Sequence, residues 1–459
     1  MPNRSFSFSS LPNQVSEQLP RSAILGIMST SRTITHPRDL LTSAMERIYS
    51  YRMTTTSGGN LSILDDEGSI WITPARIDKG GLRREDIMEI RPDGAIIGPH
   101  KPSSEFPFHR MIYEARPDLR AIIHAHPVAL VAFSICGRTP DTRIFPKARV
   151  VCGEVGFAPY ALPGSEALGR SIAAEFAKGF HCVMLENHGV VVGGATFREA
   201  FMRFETLEFA AKTIVKASAL GKVRHAGTED FAAEKRLGNP LQPFAPVQAS
   251  SAERELRREL AAFVRRGYRQ RLLISTEGSF SARVSDNAFL ITPRGCDRAL
   301  LTPEELVLVE GGRTEEGKVP SFATRLHAAI YARHPQVKAI VNATPVNATA
   351  YAVVEEALDT RTIPESYVFL REVARLPLSI LSENPDDVAA RLRPDFPVSL
   401  IENDGAMVLG TSLLDAFDRL EVLETTAEAL INSRNLGPVK VMGEDVIREL
   451  REAFHLPAA

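Results

Sequence analysis

Apolar residues recur at helical spacing over residues 38–52 (RDLLTSAMERIYSYR), which predicts an amphipathic helix. The pattern then changes to short runs. Residues 60–64 and 69–73 read as two strands joined by the turn Asp65-Asp66-Glu67-Gly68, a hairpin. Ser103 or Ser104 is placed to cap a helix running to about Arg116, with Pro107 in its first turn. Residues 120–126 (RAIIHAH) read as a buried strand entering another helix. Residues 182–186 and 190–192 read as strands around the turn Asn187-His188-Gly189, and Thr196 caps a long helix to about Leu220. Hairpins and helices mixed in this way predict a layered α/β/α domain around a mainly antiparallel sheet.

The whole pattern occurs twice. Residues 57–87 (SGGNLSILDDEGSIWITPARIDKGGLRREDI) match residues 276–306 (TEGSFSARVSDNAFLITPRGCDRALLTPEEL), so that Thr73-Pro74 falls on Thr292-Pro293. Residues 102–127 match residues 320–345, and Glu186-Asn187-His188-Gly189 matches Glu402-Asn403-Asp404-Gly405. A period this long marks two tandem copies of one domain, not a solenoid repeat. The apolar periodicity fades in a Pro-, Gly-, Ser- and Ala-containing stretch between them. The expected organisation is a disordered or targeting tail at 1–35, copy one at 36–222, a linker at 223–250 and copy two at 251–459.

Composition narrows the class. With 54 Lys plus Arg against 56 Asp plus Glu in 459 residues, the net charge of -2 gives no global attraction to nucleic acid or an anionic membrane. No apolar run has the length of a membrane span. Four cysteines without a CxxC pair fit a reducing compartment, so a cytoplasmic location is expected. Residues 1–35 are Ser-rich, with three Arg and Glu17 as the sole acid, which leaves organelle targeting open.

The chemistry concentrates in copy one. His124 and His126 are one residue apart on a strand, so both rings share a face and can ligate one divalent metal. His188, in its turn, can complete a three-histidine site that leaves positions for substrate. Glu105, beside a helix N-terminus, is a candidate general acid/base. Ser103, Ser104 and the helix start suit an anion, and Asn60 in Ser57-Gly58-Gly59-Asn60 can add an amide donor. Copy two provides an internal control. Asn342, Thr344, Asp404 and Ala323 stand where His124, His126, His188 and Glu105 stand, while the framework residues Thr292-Pro293, Pro345 and Gly405 remain. The four candidates change together, as members of one functional unit would. His109 is matched by His327 in the copy without ligands, which points to a core or capping role.

The blocks SGGNLS, ITP, PSSE, HAHP and ENHG closely resemble the class II aldolase/adducin family, which includes fuculose-phosphate aldolase and ribulose-phosphate 4-epimerase. The resemblance covers residues 38–220 and, as a degenerate second copy, residues 253–435. It implies a three-layer α/β/α fold, present twice. It implies a divalent metal, usually zinc with iron or manganese as alternatives, on His124, His126 and His188. Glu105 then acts as acid/base, and Asn60, Ser103 and Ser104 contact phosphate. The implied activity is that of a metal-dependent, enediolate-stabilising lyase on a small hydroxy-carbonyl, sugar-phosphate or keto-acid substrate. Relatives also epimerise, dehydrate, decarboxylate or are associated with iron-dependent oxygenation, and adducin heads are non-catalytic interaction modules. The expected assembly is a homo-oligomer, two chains forming a pseudo-tetrameric ring, with a small-molecule substrate and neither nucleic acid nor membrane as partner. Two departures stand out. Ala75-Arg76 follow the Thr-Pro motif, and Arg76 is a candidate clamp for carboxylate or phosphate. The tyrosine that aldolase members use across a subunit interface is missing before Tyr160, with Phe145 near its place; Tyr268 and Tyr367 are candidate substitutes.

Overall fold

The hairpin forms as β1 (Asn60–Leu64) and β2 (Ile70–Ile72), with Leu64 opposite Ile70. The computed structural model describes residues 35–227 and 241–456. Most of the expected tail, residues 1–34, lies outside the described residues, as do residues 228–240 of the expected linker. In copy one the elements run α1 (Pro37–Ser50), β1, β2, β3 (Met88–Ile90), β4 (Ile96–Ile97), α2 (Phe106–Ala115), β5 (Ala121–Ala125) and α3 (Val128–Ile135). They continue as α4 (Pro146–Cys152), β6 (Val155–Ala158), α5 (Glu166–Ala177), β7 (Cys182–Leu185), β8 (Val190–Gly194) and α6 (Phe197–Ser218). The strands form one sheet in the order β4-β3-β2-β1-β5-β8-β7-β6, antiparallel except for the β6–β7 pair.

Alternation along β5 builds the layers. Ile122 points to a core shared with Phe108 and Ile112 of α2 and Ile172 of α5. Ala121, Ile123 and Ala125 point the other way, to Met45 of α1, Leu130 of α3 and Phe204 of α6. The result is helix, sheet, helix. Thr196 does cap α6, accepting from the Glu199 N–H. Helix α2 differs from expectation. Its N-cap residue is Glu105, one or two positions later than the serines, and the Glu105 side chain makes no cap bond. Ser103 Oγ instead accepts from the Glu105 N–H at 3.2 Å, which frees the carboxylate to turn inward.

Copy two repeats the design. After β9 (Pro243–Phe244) come α7 (Ser251–Arg269), β10 (Ser279–Ser285), β11 (Ala288–Ile291), β12 (Val307–Glu310), β13 (Arg313–Glu315), α8 (Thr324–Arg333), β14 (Ala339–Ala343) and α9 (Val346–Ala352). Then follow α10 (Pro364–Leu370), β15 (Ala374–Leu376), α11 (Pro385–Arg391), β16 (Val398–Ile401), β17 (Gly405–Gly410), α12 (Leu413–Ser433) and α13 (Glu444–Ala453). Its sheet order, β15-β16-β17-β14-β10-β11-β12-β13-β9, is that of copy one with β9 added beside β13. The retained Thr-Pro motif explains itself. In both copies the threonine N–H and Oγ1 bond to the first hairpin strand (Leu61, Phe280), and its carbonyl receives the N–H of Ser103 or Ser321. That brings the helix start against the hairpin.

The copies are joined by a continuous core, in which Ile144, Phe145, Phe209 and Ala210 of copy one pack with Leu273, Ile274 and Tyr351 of copy two. A buried polar network crosses the same join. Tyr268 donates to Glu205 at 2.6 Å, Arg271 bonds Glu205 at 2.8 Å, and Arg47 bonds Asp297 at 2.6 Å. Among the described residues no helix is long and apolar enough to cross a membrane.

Lys79 and Arg298 occupy equivalent buried positions, and each donates to the carbonyl of the motif proline, Pro74 or Pro293. Burial lowers the Lys79 pKa to about 8. Its folded value therefore lies below its unfolded value, and between the two the unfolded chain holds more protons. Stability contributed by this group rises with pH from about 8 to the ordinary lysine value and is flat below. Denaturant titrations of wild type and Lys79→Met across that window should show this rise in the wild type only.

Candidate metal centre

Pairing of β5 with β8 sets the site. His124 sits opposite Val191 in this ladder, and its Nδ1 bonds the Val190 carbonyl at 3.0 Å. A carbonyl only accepts, so Nδ1 carries hydrogen and Nε2 faces inward, toward Glu105 and His126. His126 follows the strand, held by its N–H on the Met53 carbonyl. His188 tops the turn between β7 and β8, where Asn187 takes φ 55°. Ser134 Oγ pins that turn, accepting from the His188 N–H at 2.9 Å while donating to the Leu185 carbonyl at 2.6 Å.

The three imidazoles converge. One ring nitrogen from each lies within 4.8 Å of the other two, and the Nε2 atoms of His124 and His126 are 3.1 Å apart. Two nitrogens at about 2.0–2.1 Å from one tetrahedral ion stand roughly this far apart. Glu105 closes the cluster. Its Oε2 is 3.2 Å from His124 Nε2 and its Oε1 is 3.7 Å from His188 Nε2. Oε1 is buried without a hydrogen-bond partner. A carboxylate oxygen left open toward converged imidazoles is a donor set that fits a divalent cation.

Electrostatics agree with this. Burial alone would raise the Glu105 carboxyl, but the charge of His124, its hydrogen bond and the Asn60 amide hold it well below the carboxylate range. Burial would lower His124, and Glu105 reverses that, raising it. Burial, reinforced by His124, lowers His126 to about 3 and His188 to about 4. His126 and His188 are thus neutral at pH 7, as metal ligation requires, while His124 and Glu105 each favour the charged form of the other.

Behind Glu105 runs a relay that the sequence reading did not anticipate. Asn60 Nδ2 donates to Glu105 Oε2 at 2.7 Å, so its Oδ1 faces away and accepts from His109 Nε2. His109 Nδ1 then accepts from Ser62 Oγ at 2.7 Å, and Ser62 accepts from Tyr113. The same chain exists in copy two as Tyr331, Ser281 and His327, ending on Asn342 at 2.6 Å. The matched pair His109 and His327 was the available signal. His109 is a framework residue, and in copy one it orients the amide that holds Glu105.

The structure brings His124, His126, His188, Glu105 and Asn60 together, with Ser103 buried at the start of α2. Ser104 and Arg76 face solvent, Arg76 at φ 57° on the loop after Pro74. Tyr268 is bonded into the join between the copies, and the Tyr367 hydroxyl accepts from Arg451 at 2.7 Å. In copy two Ser279 bonds Ser321 where Asn60 and Ser103 stand in copy one.

Helices on both faces of a mainly antiparallel sheet, with a His-x-His strand and a histidine turn, define a class II aldolase-like domain. The chain belongs to the family described as Class II Aldolase and Adducin N-terminal domain, which matches residues 39–215 and again residues 258–431. It is 36% identical over 185 residues to the 3-oxo-tetronate 4-phosphate decarboxylase of Pectobacterium atrosepticum, covering 39% of this chain and 83% of that protein. It is 32% identical over 166 residues to the L-fuculose phosphate aldolase of Methanocaldococcus jannaschii, covering 36% and 88%. A solved L-fuculose 1-phosphate aldolase structure superposes with a TM-score of 0.39 at 29% identity, covering 43% of this chain and 95% of that one.

Gly189 lies so close to the strand that an added Cβ would stand 2.6 Å from the Ala125 carbonyl and 2.6 Å from His126 Cδ2. Gly189→Ala should push His126 out of register and weaken divalent-metal binding about tenfold or more. Competition titration with a chromogenic chelator measures this, with circular dichroism reporting the intact fold.

Proposed function

We propose that copy one is a divalent-metal-dependent carbon–carbon lyase acting on a small phosphorylated hydroxy-carbonyl or keto-acid. The observation that carries this reading is the unpartnered, ionised Glu105 oxygen aimed into the three-histidine cluster. His124, His126 and His188 would hold the cation. A divalent ion bound there, zinc in our reading, supplies Lewis-acid polarisation of a substrate carbonyl. Glu105 stays ionised next to the reacting carbon and takes or returns a proton through Oε1. Asn60, oriented by His109, keeps Oε2 fixed so that Oε1 faces the substrate. Ser103, Ser104 and the first N–H groups of α2 receive the phosphate, where the helix dipole favours negative charge. Both relatives named above carry a phosphate in their substrate names, and both names denote cleavage of a carbon–carbon bond. The described cysteines are free thiols, which fits the cytoplasm.

Copy two has Asn342, Thr344 and Asp404 in place of the ligands, so the expected metal content is one ion per chain. Glu105→Gln should keep that ion while lowering turnover by roughly 10²–10⁴. Elemental analysis after chelator washing, and carbonyl-product assays on phosphorylated sugars and 3-keto acids, test both. Two ions per chain, or unchanged turnover in the variant, would refute the assignment.

A further inference from the structure

The segment before β1 wraps His126. Its Met53 carbonyl takes the His126 N–H, and in copy two the Leu272 carbonyl takes the Thr344 N–H in the same way, at 3.2 Å. The next two residues differ in kind. Thr54 and Thr55 of copy one stand where Leu273 and Ile274 stand in the vestigial site of copy two. Gly58 is replaced there by Glu277, whose carboxylate pairs with Lys147 across the join at 2.9 Å. Asp404, at the place of His188, lies 3.8 Å from the same ammonium.

Thr54 does not behave as a fold residue. It is 7% exposed, and its Oγ1 is buried without a hydrogen-bond partner in the chain. A hydroxyl taken out of water and left unbonded costs stability. Copy two accepts the fully buried Leu273 at the same position, so packing there needs no hydroxyl. The Thr54 hydroxyl therefore serves something that copy two has lost. Its surroundings show what that is. A Cβ added at Gly58 would stand 2.8 Å from Thr55 Oγ1, 2.9 Å from His126 Nδ1 and 3.0 Å from Thr54 Oγ1. One added at Gly59 would stand 3.1 Å from Thr54 Oγ1. Three polar atoms thus converge on the space that Gly58 leaves beside the His126 ring.

We infer that Thr54 is a positioning residue of the metal centre, holding His126 through one water that also reaches Thr55. This rests on the reading of the three histidines as that centre. His126 Nε2 faces His124 Nε2, so ligation through Nε2 leaves Nδ1 carrying hydrogen. A ligating imidazole keeps its plane by donating that second hydrogen outward. His124 donates its own to the Val190 carbonyl. For His126 the groups at hand are the two hydroxyls. A water between them accepts from Nδ1 and donates to Thr54 and Thr55, which gives it the three polar partners typical of a buried water. In copy two the imidazole becomes Thr344 and the hydroxyls become Leu273 and Ile274. The ring and its support are lost as a unit.

Chelator-washed full-length chain reloaded with Co²⁺ tests this, with affinity read by chelator competition and ligand geometry by the visible bands of the bound ion. Thr54→Val keeps the shape and removes the hydroxyl. It should weaken Co²⁺ binding about tenfold or more and shift the bands, with an unchanged circular dichroism spectrum. Thr54→Ser keeps the hydroxyl and should bind nearly as the wild type does. Equal losses in both variants would mark a packing effect and overturn the inference, as would a Thr54→Val chain that binds like wild type. A crystal structure of the metal-loaded chain should hold a water within hydrogen-bond distance of both Thr54 Oγ1 and His126 Nδ1. A Thr54 hydroxyl bonded to a main-chain carbonyl instead would overturn the bridge. A wild-type chain that takes up no Co²⁺ would refute the metal centre itself, and the role of Thr54 with it.

Discussion

Three imidazoles from two segments meet only because β5 and β8 are held in one register. The bond from His124 Nδ1 to the Val190 carbonyl belongs to that ladder and fixes both the ring plane and its tautomer. A one-residue slip would send His124 to the opposite face, among Ile123 and Ala125. Gly59, at φ 71°, lets the neighbouring strand approach until an added Cβ would stand 2.8 Å from the His124 carbonyl. The relay from Tyr113 to Glu105 hangs on the same strands through Ser62 and Asn60. The proposed metal ligation and the proposed proton transfer would thus both depend on one sheet registration.

The second organising feature is the charge buried between the copies. Glu205 is fully buried and receives Tyr268, Arg271 and the Ser275 N–H, all from copy two. A carboxylate taken out of water needs such partners, and losing them leaves an uncompensated charge that costs about 3–5 kcal/mol. The two copies therefore depend on each other in a way that apolar contact alone would not impose.

Much of this was legible in residue order. The duplication, the hairpin, the His-x-His strand and the histidine turn all have local signals of period, spacing and turn composition. The contrast between His124, His126, His188, Glu105 and their replacements singled out the site without any geometry. Other features had no local signal. That Asn60 faces Glu105 and His109 depends on strand pairing between residues far apart in the chain. Helix α4 is only seven residues long, too short for a periodic signal, whereas α5 carries one that the predicted elements omit: Ser165 caps it, and Leu168, Ile172 and Phe176 recur at helical spacing. The cap of α2 fell on Glu105, not on a serine, because its side chain is bound by Asn60 and His124, a tertiary preference that overrides capping tendency.

Lys147 has an evolutionary consequence. Its ammonium fills the mouth of the vestigial site, against Glu277 and Asp404. Restoring histidine at Asn342, Thr344 and Asp404 would place a cation-binding trio under a fixed positive charge. Reverting Asp404 would also remove a carboxylate that Lys147 approaches across the join. The way back to two working sites therefore passes through intermediates worse than either end, and the loss of the second centre behaves as a ratchet.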